Sequence, residues 1–279
     1  MAVTIFCSYC IIPYVRGRSR SREISSIVSE AENLSKTCNE IVLTGINMSD
    51  FKPSLIDVLE SLSGVKARIR ISSLEVNVIT EDFLNRLSKL NNFCPHFHLS
   101  LQSGSDSVLK KMNRHYTSTE YLNKVSLIKK YFPYASITTD VIVGFPTESE
   151  ENFAESLETI KKAEFFMVHC FPYSIRVGTP ASKMPQVLNS VKKQRVKIVE
   201  SLSKILGENY INKLKQNNVT QNVILEEIIE LYSKKYFVGH SQYFVKCYIP
   251  YSESYHENDI ISVKINEFFE EGVICKWKL

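Results

Sequence analysis

The chain has 279 residues, 44% of them apolar and 23% charged, with a net charge of +4. That composition supplies a sizeable core for one large domain with a small appendage, and the mild positive charge permits a nucleic-acid partner without demanding one. No apolar run approaches the ~20 residues a bilayer span needs and the N-terminus lacks a signal-peptide plan, so a cytoplasmic protein with no membrane partner is expected.

From the start to about residue 190, β-type runs alternate with helical ones. Val3 to Phe6 reads as a short strand entering a cysteine turn. Ser21 is placed to cap a helix whose Ile24, Ile27, Val28, Ala31 and Leu34 keep a 3.6-residue period. Glu40 to Thr44 is a second strand, and Pro53 opens a helix with Leu55, Val58, Leu59 and Leu62 on one face. Arg68 to Ser72 is a third strand, Thr80 caps the next helix, and His96 to Leu101 alternates as a fourth strand. Thr117 with Glu120 forms a capping box, and Thr147 with Glu150 reads as a second. Thr139 to Val143 and Phe165 to Phe171 are the fifth and sixth strands, and a long basic helix runs from after Pro185 to about Leu214.

Consecutive βα units imply an α/β fold with a parallel sheet and helices outside it. Six such units suggest an open three-quarter (β/α)6 barrel, with a doubly wound sheet as the alternative. In barrel-like sheets chemistry gathers at the loops after the carboxyl ends of the strands. The unusual residues sit there: the cysteine turn, Thr44-Gly45, Ser73-Leu74-Glu75, Gln102-Ser103-Gly104, Gly144-Phe145-Pro146 and Pro172-Tyr173-Ser174. Beyond about residue 218, short β-runs separated by polar turns suggest a small all-β barrel of the oligonucleotide-binding kind, so the expected domains are 1–215 and 216–279. Tyr236, Tyr243, Phe244 and Tyr248 are candidates for stacking on bases, or for the core of that barrel.

Cys7-Ser8-Tyr9-Cys10 is ambiguous by itself: a Cys-x-x-Cys turn suits zinc, part of an iron–sulfur cluster, or a redox dithiol. Zinc wants a second ligand pair, and only His96 and His98 alternate on one strand. With seven cysteines, metal ligation plus isolated thiols fits better than a disulfide framework, and Cys38, Cys94, Cys170, Cys247 and Cys275 read as small buried hydrophobes.

The wider pattern is more specific. Phe6 to Tyr14, the Arg16-Gly17-Arg18-Ser19-Arg20-Ser21-Arg22 run, Ile41 to Asn47, Ser72 to Glu75, His98 to Asp106 with Met112-Asn113-Arg114, Asp140 to Glu148, and Phe171 to Ala181 together resemble the radical S-adenosylmethionine methylthiotransferases. The arginine run is most similar to the branch acting on N6-threonylcarbamoyladenosine in tRNA. The C-terminal segment resembles that family's TRAM domain.

The resemblance implies a [4Fe–4S] cluster held by three thiolates, with one iron open to S-adenosylmethionine. It also implies a 5′-deoxyadenosyl radical that abstracts hydrogen from C2 of the adenine, where a methylthio group is installed. Cys7 and Cys10 match two of the three ligands; Thr44 and Gly45 match the segment contacting the methionine moiety; Glu75, Gln102 and Arg176 are carried as cofactor contacts. Arg16, Arg18, Arg20 and Arg22 would meet phosphates of a tRNA anticodon stem-loop. An electron donor and a sulfur donor are implied partners. The first cysteine of the family pattern falls on Val3, and the family's upstream cysteine-rich domain has no counterpart in the sequence, so a truncated or frame-disrupted chain is expected. The alternatives are a homologue modifying isopentenyladenosine in tRNA or a ribosomal-protein aspartate, and a catalytically inactive tRNA-binding remnant.

Overall fold

A computed structural model describes residues 7–17 and 19–277. The expected strand from Val3 to Phe6, and Arg18, lie outside the described residues. Helix α1 (Ile12–Arg16) follows the cysteine turn, α2 (Ile24–Leu34) precedes strand β1 (Glu40–Leu43), and α3 (Leu55–Ser61) precedes β2 (Arg68–Ile71). Helix α4 (Glu81–Leu87) leads to β3 (His96–His98), while α5 (Asp106–Lys111) and α6 (Ser118–Tyr131) lead to β4 (Ser136–Val143). Helix α7 (Glu150–Ala163) leads to β5 (Met167–Pro172), and the long α8 (Asn189–Gln216) leaves the sheet.

All ladders among β1 to β5 are parallel, and single bridges Ile69–Phe93 and Leu74–Leu99 join β2 to the β3 segment, giving the order β1-β2-β3-β4-β5. One face of this sheet is apolar. Ile69, Ile71, Phe97, Ile137, Val141 and Val168 pack there against helical Leu59, Leu84, Leu87, Val125 and Ile160 in one continuous core. Each such side chain, fully buried, contributes roughly 1.5–3 kcal/mol. Among the described residues no helix is long and apolar enough to cross a membrane.

Thr80 accepts a hydrogen bond from Phe83 N, and Thr117 and Glu120 form the expected box. Two other caps differ from expectation. The second box is Ser149 with Asn152, because Thr147 adopts a left-handed backbone (φ 67°) that turns the chain before α7 begins. Ser21 does not cap α2: Glu23 is the N-cap, and the Ser21 hydroxyl instead accepts from Lys52 N at 2.7 Å.

Strands β6 (Gln221–Leu231), β7 (Lys234–Ser241), β8 (Lys246–Pro250), β9 (Ile260–Phe269) and β10 (Gly272–Trp277) close into a barrel in the order β10-β8-β7-β6-β9. Val223, Leu225, Phe237, Ile249, Val263 and Val273 fill it, and Tyr210, Ile211 and Leu214 of α8 join that core. The four aromatics considered for base stacking are used internally. Tyr236 and Tyr248 are buried beside Val238 against the hairpin tips, and Tyr243 packs on the barrel core. Phe244 stacks between His96 (4.6 Å) and His240 (4.9 Å).

The junction between sheet and barrel is ionic. Glu40 accepts from Arg68 Nε at 2.5 Å and from Arg70 Nε and Nη2 at 2.9 Å. Both guanidinium groups also donate to barrel carbonyls: Arg68 through Nη1 to Asn222 (2.5 Å) and Nη2 to His240 (2.9 Å), and Arg70 through the same Nη2 to Ser241 (2.9 Å). Burial opposes ionisation of Glu40, but hydrogen bonds and charge from Arg70 and Arg68 hold it below the usual carboxylate range. Arg68 and Arg70 are only 9% and 4% exposed, so removing their counter-charge would strand two buried cations. The Glu40→Ala variant should therefore lose about 3–5 kcal/mol in urea denaturation; a loss below about 1 kcal/mol would show that water or a neighbouring group neutralises the pair.

Candidate active site

Side chains alternate across a strand, so the residues between the apolar ones share the helix-free face. From the barrel end towards the carboxyl ends these are Arg68 and Arg70 on β2, His96 and His98 on β3, Thr138 and Asp140 on β4, and His169 and Phe171 on β5. Val42 of β1 and Phe171 are each 52% exposed, which means this face is open to solvent above its floor. The floor is Phe244 and the Glu40–Arg68–Arg70 group.

The cysteine turn sits above the carboxyl ends, and its shape is set by distant segments. Cys10 N donates to Cys7 O (3.1 Å), Ser8 N to Met112 O (2.9 Å), and Ala181 N to Ser8 O (2.9 Å). The Ser8 hydroxyl donates to Lys111 O at 2.6 Å. Tyr9 meets Phe145 edge-on at 6.2 Å, and Phe145 meets Tyr173 at 5.4 Å. The loop from Gln102 to Ser105 packs so closely on α7 that a Cβ at Gly104 would lie 2.6 Å from Thr159 Cβ, which explains the glycine. Burial pushes the Cys10 thiol up.

Beside the turn lies an ion pair. Arg114 donates to Glu75 through Nη1 (3.2 Å) and Nη2 (2.6 Å), and its Nη1 also reaches Cys7 Sγ at 3.4 Å. Its Nε donates to Tyr116 Oη at 3.1 Å, and the Tyr116 hydroxyl donates to the carbonyls of Ser100 and Leu101. Burial opposes the charge on Arg114, but Tyr116 and Glu75 more than offset it, so the guanidinium is held charged. The Glu75 side chain keeps 20% exposure, leaving the pair accessible from one side. Arg114 is not among the site residues that the sequence suggests; its position after Met112-Asn113 in a motif is the only signal.

The other expected contacts are dispersed around the rim. Thr44 and Gly45 line a cavity of about 310 Å³ together with Arg20, Arg22 and apolar residues of α2 and α3. Gln102 has a left-handed backbone (φ 62°) and bridges to β4 through its own N and O. Arg176 is exposed, and its carbonyl accepts from the Thr179 hydroxyl at 2.7 Å. Arg16 and Arg20 are exposed, whereas Arg22 is tied to α2 through Ser26 and an ion pair with Glu30.

Below the rim, a hydrogen-bond chain links the histidines. His96 Nε2 and His98 Nδ1 both meet Thr138 Oγ1 (3.0 and 2.9 Å), and His98 Nε2 meets Asp140 Oδ2 at 3.3 Å. With neutral rings the assignment is consistent throughout: His98 Nε2–H donates to Asp140, Thr138 O–H to His98 Nδ1, and His96 Nε2–H to Thr138. His96 Nδ1 is then a bare lone pair, in keeping with its lack of a partner.

Residues 4–160 match the family model of the Radical SAM superfamily. The chain belongs to that superfamily. Its sequence is similar to the threonylcarbamoyladenosine tRNA methylthiotransferases MtaB of Chlamydia pneumoniae (38% identity over 96% of this chain and 64% of the relative) and Bacillus subtilis (39%, over 86% and 55%). It is also similar to the tRNA-2-methylthio-N(6)-dimethylallyladenosine synthase of Clostridium tetani (41%, over 78% and 50%). The chain thus spans between half and two thirds of the length of these relatives. Among solved structures, the fold is similar to the radical S-adenosylmethionine methyltransferase TsrM of Kitasatospora setae (TM-score 0.56, 16% identity, 65% of this chain and 37% of that one). It is likewise similar to coproporphyrinogen III oxidase of Escherichia coli (0.53, 13%, 78% and 56%).

The cofactors of the superfamily are a [4Fe–4S] cluster and S-adenosylmethionine. Cys7 and Cys10 offer two thiols on one turn, the third place of the pattern is Val3, and among the described residues no group of three His, Cys, Asp or Glu converges. The donor set of this chain is one ligand short of a three-thiolate seat.

The buried histidine gives a pH signature. Burial, then the charge of Arg70, push His96 down to about 3, against an ordinary value of 6.5. The unfolded chain therefore binds this proton first, and stability should fall as pH drops from about 6.5 towards 3, by at most ~1.4 kcal/mol per unit from this group. Acid denaturation of His96→Gln should show a shallower slope in that window; an unchanged slope would assign the acid sensitivity elsewhere.

Proposed function

We propose that this chain is the core of a radical S-adenosylmethionine tRNA methylthiotransferase acting on N6-threonylcarbamoyladenosine beside the anticodon. In this reading residues 1–215 form the open three-quarter (β/α)6 barrel and residues 216–279 a TRAM-like RNA-binding barrel. The observation that carries it is the Arg114–Glu75 pair against Cys7 Sγ. A buried, one-side-open ion pair complements a zwitterion: Glu75 suits an ammonium and Arg114 a carboxylate, the two charges of the methionine end of S-adenosylmethionine. In this reading Thr44, Gly45, Gln102 and Arg176 are further cofactor contacts, dispersed along the rim.

Cys7 and Cys10 would hold two places of the cluster, which would supply the electron for reductive chemistry on S-adenosylmethionine. The chain's own groups orient the reactants. Arg114 holds the Cys7 side chain, and the open face below the rim receives the target base. An electron donor and a sulfur donor are required partners, and the cytoplasm is the setting. Support for an RNA partner is partly electrostatic. Helix α8 carries seven basic residues against two acidic ones, whereas residues 217–279 carry six lysines against nine acidic residues. Phosphate contacts then fall mainly to Arg16, Arg20 and the exposed Lys193, Lys197 and Lys204 of α8, with the barrel as a secondary RNA surface.

Val3 favours a second reading, in which the chain binds tRNA without turnover. One comparison separates the two. After anaerobic reconstitution with iron and sulfide, Val3→Cys should hold about four irons per chain, with visible charge-transfer absorbance and a paramagnetic signal that S-adenosylmethionine perturbs. The unaltered chain should hold fewer. Failure of Val3→Cys to gain iron would defeat the cluster assignment. Independently, Lys193→Ala/Lys197→Ala/Lys204→Ala should weaken binding of an anticodon hairpin and reduce its salt dependence by up to about three phosphate contacts; an unchanged salt slope would remove α8 from the RNA surface.

A further inference from the structure

The two classes of relative differ in the substituent their names place on the adenine, one polar and one hydrocarbon. The open face below the rim presents one wall whose chemistry distinguishes these. Asp140 and His169 are register partners on β4 and β5, and the His169 ring lies 5.8 Å from that of His98.

The wall is fixed from behind. His98 uses both ring nitrogens, one on Thr138 and one on Asp140, so neither His98 nor Asp140 Oδ2 is free to turn towards a ligand. Two groups remain uncommitted. Asp140 keeps a second oxygen, with 32% of its side chain exposed, and His169 is exposed and makes no nitrogen hydrogen bond among the described residues. Two residues further along β5, on the same face, Phe171 offers a flat apolar surface that is 52% exposed. The face thus offers a stacking ring, then a carboxylate acceptor and an imidazole that can donate or accept.

We infer that His169, with Asp140 beside it, determines specificity by hydrogen-bonding the polar N6 substituent of the target adenine. This rests on the tRNA-modifying reading above. A threonylcarbamoyl group brings urea N–H donors for Asp140, together with a carbonyl, a hydroxyl and a carboxylate for His169. An isopentenyl group leaves only the N6–H that both nucleosides share and offers nothing to His169, so seating it would strip water from His169 without replacement. A site built to hydrogen-bond its ligand rejects the analogue lacking those groups far more strongly than an apolar pocket rejects a polar isostere. Phe171 stacks on the base itself and is indifferent to the substituent.

The test uses the full chain and three synthetic anticodon hairpins carrying threonylcarbamoyladenosine, isopentenyladenosine or adenosine at the target position, with binding read by fluorescence anisotropy. The unaltered chain should prefer the threonylcarbamoyl hairpin over the isopentenyl one by on the order of tenfold to a hundredfold. His169→Phe should abolish or invert that preference while leaving the adenosine hairpin bound as before, and His169→Gln, which keeps a donor and an acceptor, should retain part of it. Circular dichroism melting of both variants controls for folding, and an exposed strand position predicts unchanged curves. Retention of the full preference by His169→Phe would overturn the inference while leaving the tRNA reading intact, as would equal binding of all three hairpins by the unaltered chain. Absence of binding to any hairpin would defeat both.

Discussion

Glu40 is the residue on which the arrangement of this molecule depends. A carboxylate between two buried guanidinium groups is not in itself a strong source of stability, because desolvation offsets most of the attraction. Its consequence is geometric. With Glu40 neutralising them, Arg68 and Arg70 can spend their remaining N–H groups on carbonyls of the barrel, at Asn222, His240 and Ser241. Those bonds fix the β7–β8 loop, which carries Phe244 in a left-handed conformation against His96. Arg70 also lies over the Phe244 ring, 5.3 Å from its centroid. His96, shut under that ring and near those arginines, stays neutral and starts the hydrogen-bond chain through Thr138 to His98 and Asp140. An ionic contact at the amino ends of the strands thereby sets the direction of polar groups halfway up the open face.

Much of this fold is legible in the sequence because it rests on local rules. Hydrophobic period separates α3, α4 and α7 from the strands between them, and Thr80 and the Thr117–Glu120 box mark helix starts that occur as expected. The barrel's five short strands also follow from alternation and turn residues. The departures come where a distant contact overrides a local preference. Thr147 is followed by a glutamate three residues on, as a capping box requires, but its N–H is claimed by Pro185 O and the cap moves to Ser149. Ser21 is taken by Lys52 in the same way.

The site shows the same division. Cys7 and Cys10 are visible as a spacing, and the loops at the carboxyl ends of the strands are visible as clusters of unusual residues. What spacing cannot reveal is pairing across the sheet. Glu75 is a lone acidic residue in a loop until Arg114, which follows α5, is seen to grip it from 39 positions away. The aromatics of the barrel fail for a related reason: alternation makes Tyr236 and Tyr248 face outwards from the barrel core, and only the hairpin tips packed over them turn that outer face into a second interior.

The cysteine turn carries one further consequence. Its backbone is tied by hydrogen bonds to Met112, Lys111 and Ala181, and Tyr9 is seated on Phe145, so contacts from distant segments help to set its shape. A small zinc module folds only when its ions bind, so loss of a ligand there is also loss of the protein. Here the turn also has protein partners of its own. Movement of the segments that hold the turn, at Met112 or Ala181, would therefore reach the cysteines from a distance.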